Sequence, residues 1–154
     1  MEVIDSFSGE YAFLSNFHPS PITFFHPQAG ECRAATVEHA YQSLKTSDNI
    51  EIQQVLMCET PGRAKRMGQK VTIRKHWEEV KVINMGILVR LKFLQNPELG
   101  ENLLATGDLI LIEGNHWHDN FFGYCTCSRC KREEHAENHL GRILSQVRRE
   151  LRDA

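Results

Sequence analysis

The sequence predicts a single α+β domain over residues 1–154, compact and mostly helical with a few short strands, and three observations support this. Apolar residues recur at helical spacing through most of the chain after Thr36, in segments punctuated by Asp, Pro, Gly and Asn. The stretch before Thr36 lacks that period. Pro19, Pro21 and Pro27 stand there among Phe7, Tyr11, Phe13, Phe17, Phe24 and Phe25, which suits short strands and loops. The chain has 154 residues, 41% hydrophobic and 25% charged, the size and composition of one ordinary globular domain, and it shows no repeat or linker.

Behind Thr36, a residue type suited to an N-cap, Val37, Ala40, Tyr41 and Leu44 predict the first helix. Asp48 caps a second helix through Leu56 or Met57, and Pro61 opens a third that runs to about Gly68. Val80, Ile83, Ile87, Val89, Leu91 and Leu94 predict a long helix from His76 to Gln95, stopped by Asn96-Pro97. A further helix from Pro97 ends near Gly107, whose residue type favours the left-handed C-terminal position. The apolar run from Leu109 to Glu113, bounded by Gly107-Asp108 and Gly114-Asn115, reads as a buried strand. The last helix starts at about Glu134 or Asn138 and reaches Leu151, with Leu140, Ile143, Leu144, Val147 and Leu151 on one face.

Eighteen Lys and Arg against twenty Asp and Glu leave a formal charge of -2, so no global positive field draws in nucleic acid and any polyanion contact is local. The longest strictly apolar run, Leu109 to Ile112, is far below the ~20 residues a membrane helix needs, so no membrane partner is expected. The opening MEVIDSFSGE lacks the basic and apolar regions of a secretory signal. Three of the five cysteines crowd into six residues, which suits reduced thiols or a metal better than a disulfide framework. A cytoplasmic location is the expectation.

Four constellations could carry chemistry. Glu38, Gln42 and Lys45 stand at i, i+4 and i+7 of the first helix, either as a solvated stripe or as a carboxylate and an amine held together for acid–base or carbonyl chemistry. Arg63, Lys65, Arg66, Lys70, Arg74 and Lys75 occur with no intervening acid, either as a solvated basic face or as a phosphate cradle. The loop EGNHWHDNFFG, residues 113–123, mixes Glu113 and Asp119 with His116, His118, Trp117, Phe121 and Phe122. It could form a pocket that stacks a base and orients hydroxyls, or a lid with Asp119 as a turn residue. Cys125-x-Cys127-x2-Cys130 with His135 supplies enough sulfur and nitrogen donors for tetrahedral zinc, or else a loop of reduced thiols.

Seven segments together resemble the YbiA-like, or NADAR, family: SGEYAFLSNF at 8–17, TVEHAYQSLK at 36–45, PGRAKRMG at 61–68, Trp77 with Met85, LKFLQNPELGENLLATG at 91–107, LIEGNHWHDNFFG at 111–123 and NHLGRILSQVR at 138–148. The resemblance covers nearly the whole chain. It implies a compact, mostly helical YbiA-like fold that hydrolyses the bond between a ribose anomeric carbon and nitrogen, with no cofactor and no metal. Removal of ADP-ribose from ADP-ribosylated guanine in nucleic acid is the leading expectation, in an antitoxin-like setting with a possible cognate toxin system. Cleavage of early riboflavin-pathway intermediates, or a silent ADP-ribose-binding module, is the alternative.

By the same resemblance, Glu38, Lys45, Lys65 and Asp119 are candidate catalytic residues. Asn16, Phe17, Gln42, Arg63, Arg66, Trp77, Glu113, Phe122 and Gly123 are candidates for binding the substrate. Lys45 and Lys65 compete as the amine that forms a Schiff base with an opened ribose. Two departures stand out: Phe122 replaces a usual tryptophan, losing an indole donor, and Ala136-Glu137-Asn138 replaces Gly-x-Asn ahead of the last helix.

Overall fold

The computed structural model describes residues 2–131 and 135–154. Its elements in chain order are β1 (Val3–Ile4), a 3-10 helix (Gly9–Leu14), β2 (Ile22–His26), β3 (Gly30–Ala34), α1 (Val37–Ser43), α2 (Asn49–Leu56) and α3 (Pro61–Gly68). There follow α4 (Trp77–Gln95), α5 (Pro97–Ala105), β4 (Ile110–Leu111), β5 (Gly114–Asn115), β6 (Tyr124–Cys125), α6 (Ser128–Lys131) and α7 (His139–Asp153). This is the expected α+β class. The contacts divide into two compact units, Asn16–Pro97 and the pair of segments Met1–Ser15 and Glu98–Ala154.

In the unit Asn16–Pro97, helices start where Thr36, Asp48 and Pro61 predict, with Thr60 as a cap the sequence reading did not name. The Thr36 hydroxyl accepts from His39 N at 3.1 Å, the Asp48 carboxylate from Ile50 N and Glu51 N, and the Thr60 hydroxyl from Arg63 N at 3.1 Å ahead of Pro61. β2 and β3 form an antiparallel hairpin registered Ile22↔Ala34 to His26↔Gly30. The buried His26 accepts from Gln28 N on one ring nitrogen and faces Ser43 O at 2.9 Å with the other, tying the hairpin to the end of α1.

All seven residues of α1 are buried, the helix being enclosed by α2, α3, α4 and β3. Gly68 lets α3 approach it, because a Cβ there would collide with the Gln42 carboxamide. Gly68→Ala is therefore expected to destabilise the protein by about 1–3 kcal/mol, the usual cost of overpacking, as measured by denaturant unfolding. α4 begins at Trp77, one residue later than expected, because His76 sits at φ 62. Its buried face is Trp77, Met85, Leu88, Val89, Lys92 and Phe93, whereas Ile83, Ile87 and Leu94 are exposed. Apolar residues on every side of this helix let its packing, anchored by Trp77, choose the face.

In the other unit β1 pairs in parallel with β4, Val3↔Ile110 and Ile4↔Leu111. β4 is shorter than the predicted strand because the side chain of Asn138 takes over as partner, its amide donating to Leu111 O at 2.9 Å and its carbonyl accepting from Glu113 N at 3.1 Å. α7 begins after Asn138; the alternative start at Glu134 lies outside the described residues. Gly141 brings α7 against β4, since a Cβ would strike Leu111 O. The buried Arg148 donates to Thr106 Oγ1 at 2.8 Å and Leu109 O at 3.0 Å, closing the turn in which Gly107 takes φ 61.

Candidate active site

The polar stripe of α1 is not a solvated face. Glu38 is 7% exposed and Gln42 3%, and Gln42 Nε2 donates to Glu38 Oε1 at 3.3 Å. A buried carboxylate and carboxamide are costly to desolvate without partners. Gln42 Oε1 and the buried Asn16 Oδ1 nevertheless have no hydrogen-bond partner among the described residues. Asn16 belongs to the same cluster, because Glu38 N donates to its carbonyl at 3.2 Å, while its amide donates to Met85 Sδ at 3.4 Å. The two acceptors flank one buried acid and are closed to solvent, so only a ligand that opens the cluster would supply their missing donors.

Lys45, one turn beyond Gln42, is half-buried with its Nζ 5.8 Å from the centre of the Tyr41 ring. Burial is the main force holding its amine below the usual lysine range; Glu38 opposes this, and the positive charges of Lys65 and Lys81 reinforce it. Lys65 of α3 is thus an electrostatic neighbour of Lys45. Behind them Trp77, 5% exposed, packs its ring 5.2 Å from Tyr41 and under the Arg74 guanidinium at 5.4 Å. Arg74 also donates from its backbone to Lys45 O at 2.7 Å and from Nε to Leu44 O at 2.6 Å, placing a cation at the C-terminal end of α1, where carbonyls lack helical partners. Sequence reasoning gave Arg74 only a place in a basic run and left Tyr41 in the core.

The other basic residues of α3 point elsewhere. Arg63 and Arg66 line a surface groove with Met57, Cys58, Met67 and Lys70, and Arg63 also pairs with Glu59 at 3.3 Å. Phe17 is exposed.

Glu113, Asp119, Phe122 and Gly123 belong to the second unit, where Asn115 organises their loop. Its amide reaches Glu113 Oε2 at 3.3 Å and Asp119 O at 2.8 Å, and its carbonyl oxygen Oδ1 accepts from Trp117 N and Asp119 N. Asp119 Oδ1 accepts from Phe121 N at 3.1 Å and Phe122 N at 2.9 Å, so this oxygen caps a turn. Phe122 packs edge-on against Phe121, and Gly123 leaves room for the Glu113 carboxylate, which a Cβ would strike. Glu137, Asn138, His139 and Leu140 donate their backbone N–H groups to the carbonyls of Asn120, Gly123, Phe121 and Phe122, so the loop itself satisfies the start of α7.

The zinc donor set differs from the expected one. His118 Nδ1, not His135, joins the sulfurs of Cys125, Cys127 and Cys130, all four atoms lying within 4.8 Å of one another.

Lys92 is a residue the sequence did not single out. It is 1% exposed, with Nζ 5.1 Å from the Phe93 ring centre, and burial lowers its pKa to about 7. An unfolded lysine titrates near ~10.4, so between these values the unfolded chain binds more protons and stability rises with pH, by up to about 1.4 kcal/mol per unit. Lys92→Met, similar in length and carrying no charge to desolvate, is expected to abolish that rise and to raise Tm most at and below about pH 7. Parallel melts of both proteins across that range check it.

Among the described residues no helix is long and apolar enough to cross a membrane. The NADAR domain profile matches residues 5–152. The chain is 38% identical over 145 residues to the riboflavin biosynthesis protein VVA0006 of Vibrio vulnificus (strain YJ016), covering 93% of this chain and 36% of that protein, so it spans little more than a third of that relative's length. It is 36% identical over 148 residues to the N-glycosidase Npun_R5314 of Nostoc punctiforme, covering 93% and 87% of the two chains. The NMR structure of the Escherichia coli protein YbiA superposes with a TM-score of 0.79 at 30% identity, over 99% of this chain and 88% of that one. With its α+β fold matched in this way and the profile running almost from end to end, the chain belongs to the NADAR family.

Proposed function

We propose that this chain is an N-glycosidase that opens the bond between a ribose anomeric carbon and an exocyclic amine, with Lys45 as nucleophile and Glu38 as acid–base group. The coarse activity, hydrolysis of N-glycosyl bonds, is supported by the names of its relatives. The observation that carries the assignment of residues is the buried Glu38 carboxylate of α1 with the half-buried Lys45 amine, two residues past the helix end, held below its ordinary basicity.

In the proposed sequence, Glu38 in its acid form protonates the ribose ring oxygen as the ring opens to an iminium. The neutral Lys45 amine adds to the anomeric carbon, and the leaving amine departs with a proton. Water then adds to the Lys45 imine and gives up a proton to Glu38, releasing the ribose aldehyde and restoring both the amine and the acid. Gln42 and Asn16 accept from ribose hydroxyls, Trp77 supports Tyr41 and Arg74, and Lys65 adds to the burial that lowers the Lys45 pKa.

A ribosylaminopyrimidine phosphate of the riboflavin pathway is the substrate we favour, following the name of the Vibrio relative. The second reading, release of ADP-ribose from guanine in nucleic acid in an antitoxin-like role, draws on Arg63 and Arg66 along one groove, a pair of cations suited to a pyrophosphate. Five free cysteines fit a reducing, cytoplasmic compartment.

The test is incubation with each substrate, with and without borohydride, followed by mass spectrometry. Cleavage of the pyrimidine substrate with an adduct at Lys45 supports the first reading, and cleavage of the ADP-ribosylated oligonucleotide alone supports the second. Binding of ADP-ribose without any turnover overturns both. Lys65→Met separates the two lysines. Loss of its charge raises the Lys45 pKa, so the acid limb of the kcat/KM profile should move to higher pH while alkaline activity persists. If Lys65 is the nucleophile, turnover disappears at every pH.

A further inference from the structure

We propose that His118, Cys125, Cys127 and Cys130 form a structural zinc site that fixes the 113–131 segment. No part of this depends on the N-glycosidase reading. Four donor atoms from three parts of that segment converge: a loop histidine, two residues around β6 and one within α6. His118 Nδ1 lies 3.3 Å from Cys130 Sγ, 3.4 Å from Cys127 Sγ and 4.0 Å from Cys125 Sγ. Around a tetrahedral ion with Zn–S of about 2.3 Å and Zn–N of about 2.0–2.1 Å, nitrogen and sulfur stand about 3.6 Å apart, which those three distances bracket. Three thiols this close without a disulfide are an arrangement that a shared cation explains.

The surroundings suit the same ion. His118 adopts φ 70, a left-handed conformation unusual for a residue with a Cβ, and from it the ring faces the sulfurs. Cys130 N donates to Cys127 Sγ at 3.3 Å, the kind of amide–sulfur bond that orients a thiolate ligand. Cys125 is buried and its N–H is held by Asn120 Oδ1 at 2.8 Å. Three sulfurs and one imidazole favour zinc over hard cations such as magnesium or calcium. Binding exchanges three thiol protons for Zn²⁺, leaving a complex of net charge −1 with neutral His118. Four protein ligands fill the tetrahedron, so the site has no open position for substrate or water and its role is to hold the chain.

The test begins with the metal content of protein purified under reducing conditions, followed by cobalt(II) titration of the chelated protein. The expected result is about one zinc per chain and, with cobalt, the thiolate charge-transfer and visible bands of a tetrahedral site. Chelation should lower Tm by more than about 4 °C and expose the 113–131 segment to protease. His118→Ala and Cys127→Ser should lose the metal, whereas His135→Ala and Cys58→Ser should retain it. A wild-type protein that holds no zinc and gives no tetrahedral cobalt spectrum overturns the proposal, as does a disulfide within the cysteine trio. Retention by His118→Ala with loss by His135→Ala overturns the ligand set. Should a cysteine variant fail to fold, the wild-type cobalt spectrum and chelator melt decide.

Discussion

Lys45→Met is expected to reduce kcat/KM by about 10³-fold or more while leaving Tm almost unchanged and abolishing the borohydride-trapped adduct. The size of the effect follows from what a covalent route supplies. The amine attacks an activated anomeric carbon and replaces one difficult displacement with two easier steps. Methionine fills similar space beside the Tyr41 ring but cannot attack. Burial and the charges of Lys65 and Lys81 already favour the neutral amine, so Lys45→Arg, permanently charged, should fail as completely. Retention of the trapped adduct in Lys45→Met would transfer the role to another amine.

Glu38→Gln is expected to cost about 10²–10⁴-fold in kcat while ligand binding changes little, because positioned proton transfer is worth that much. The substitution preserves shape and leaves Gln42 with a hydrogen-bond partner, so the fold should tolerate it. It also removes the negative charge that raises the Lys45 pKa. The acid limb of the residual activity should therefore move to lower pH, opposite to the shift expected for Lys65→Met. Opposed movements in two single variants would identify one titrating amine between them. A Glu38→Gln protein with unchanged kcat would sink the acid–base assignment.

What the sequence revealed was local. The caps at Thr36 and Asp48 depend on bonds to residues two or three positions away, and the structure has them where spacing predicts. The spacing of Glu38, Gln42 and Lys45 was equally legible. Their burial was not, because it is imposed by elements as distant in sequence as α4. Lys92 was hidden for a similar reason: on a helix apolar on every side, sequence does not say which face turns inward. The donor set shows the limit most clearly. Proximity along the chain favoured His135, yet the left-handed turn at His118 brings that imidazole to the sulfurs. Asn138, whose side chain completes a strand ladder, looked like an ordinary helix start.

The loop that satisfies the start of α7 has a consequence for how this protein can be altered. Gly123 O and Asn138 N meet at 3.2 Å, so the residues between them form an excursion whose two ends are already joined. Closing such a loop costs only about 0.6 kcal/mol more for each doubling of its length. Residues inserted after Lys131 would therefore lengthen this loop at little cost while sparing β6 and the three cysteines within it. An engineer could graft a reporter or affinity tag there on the same terms.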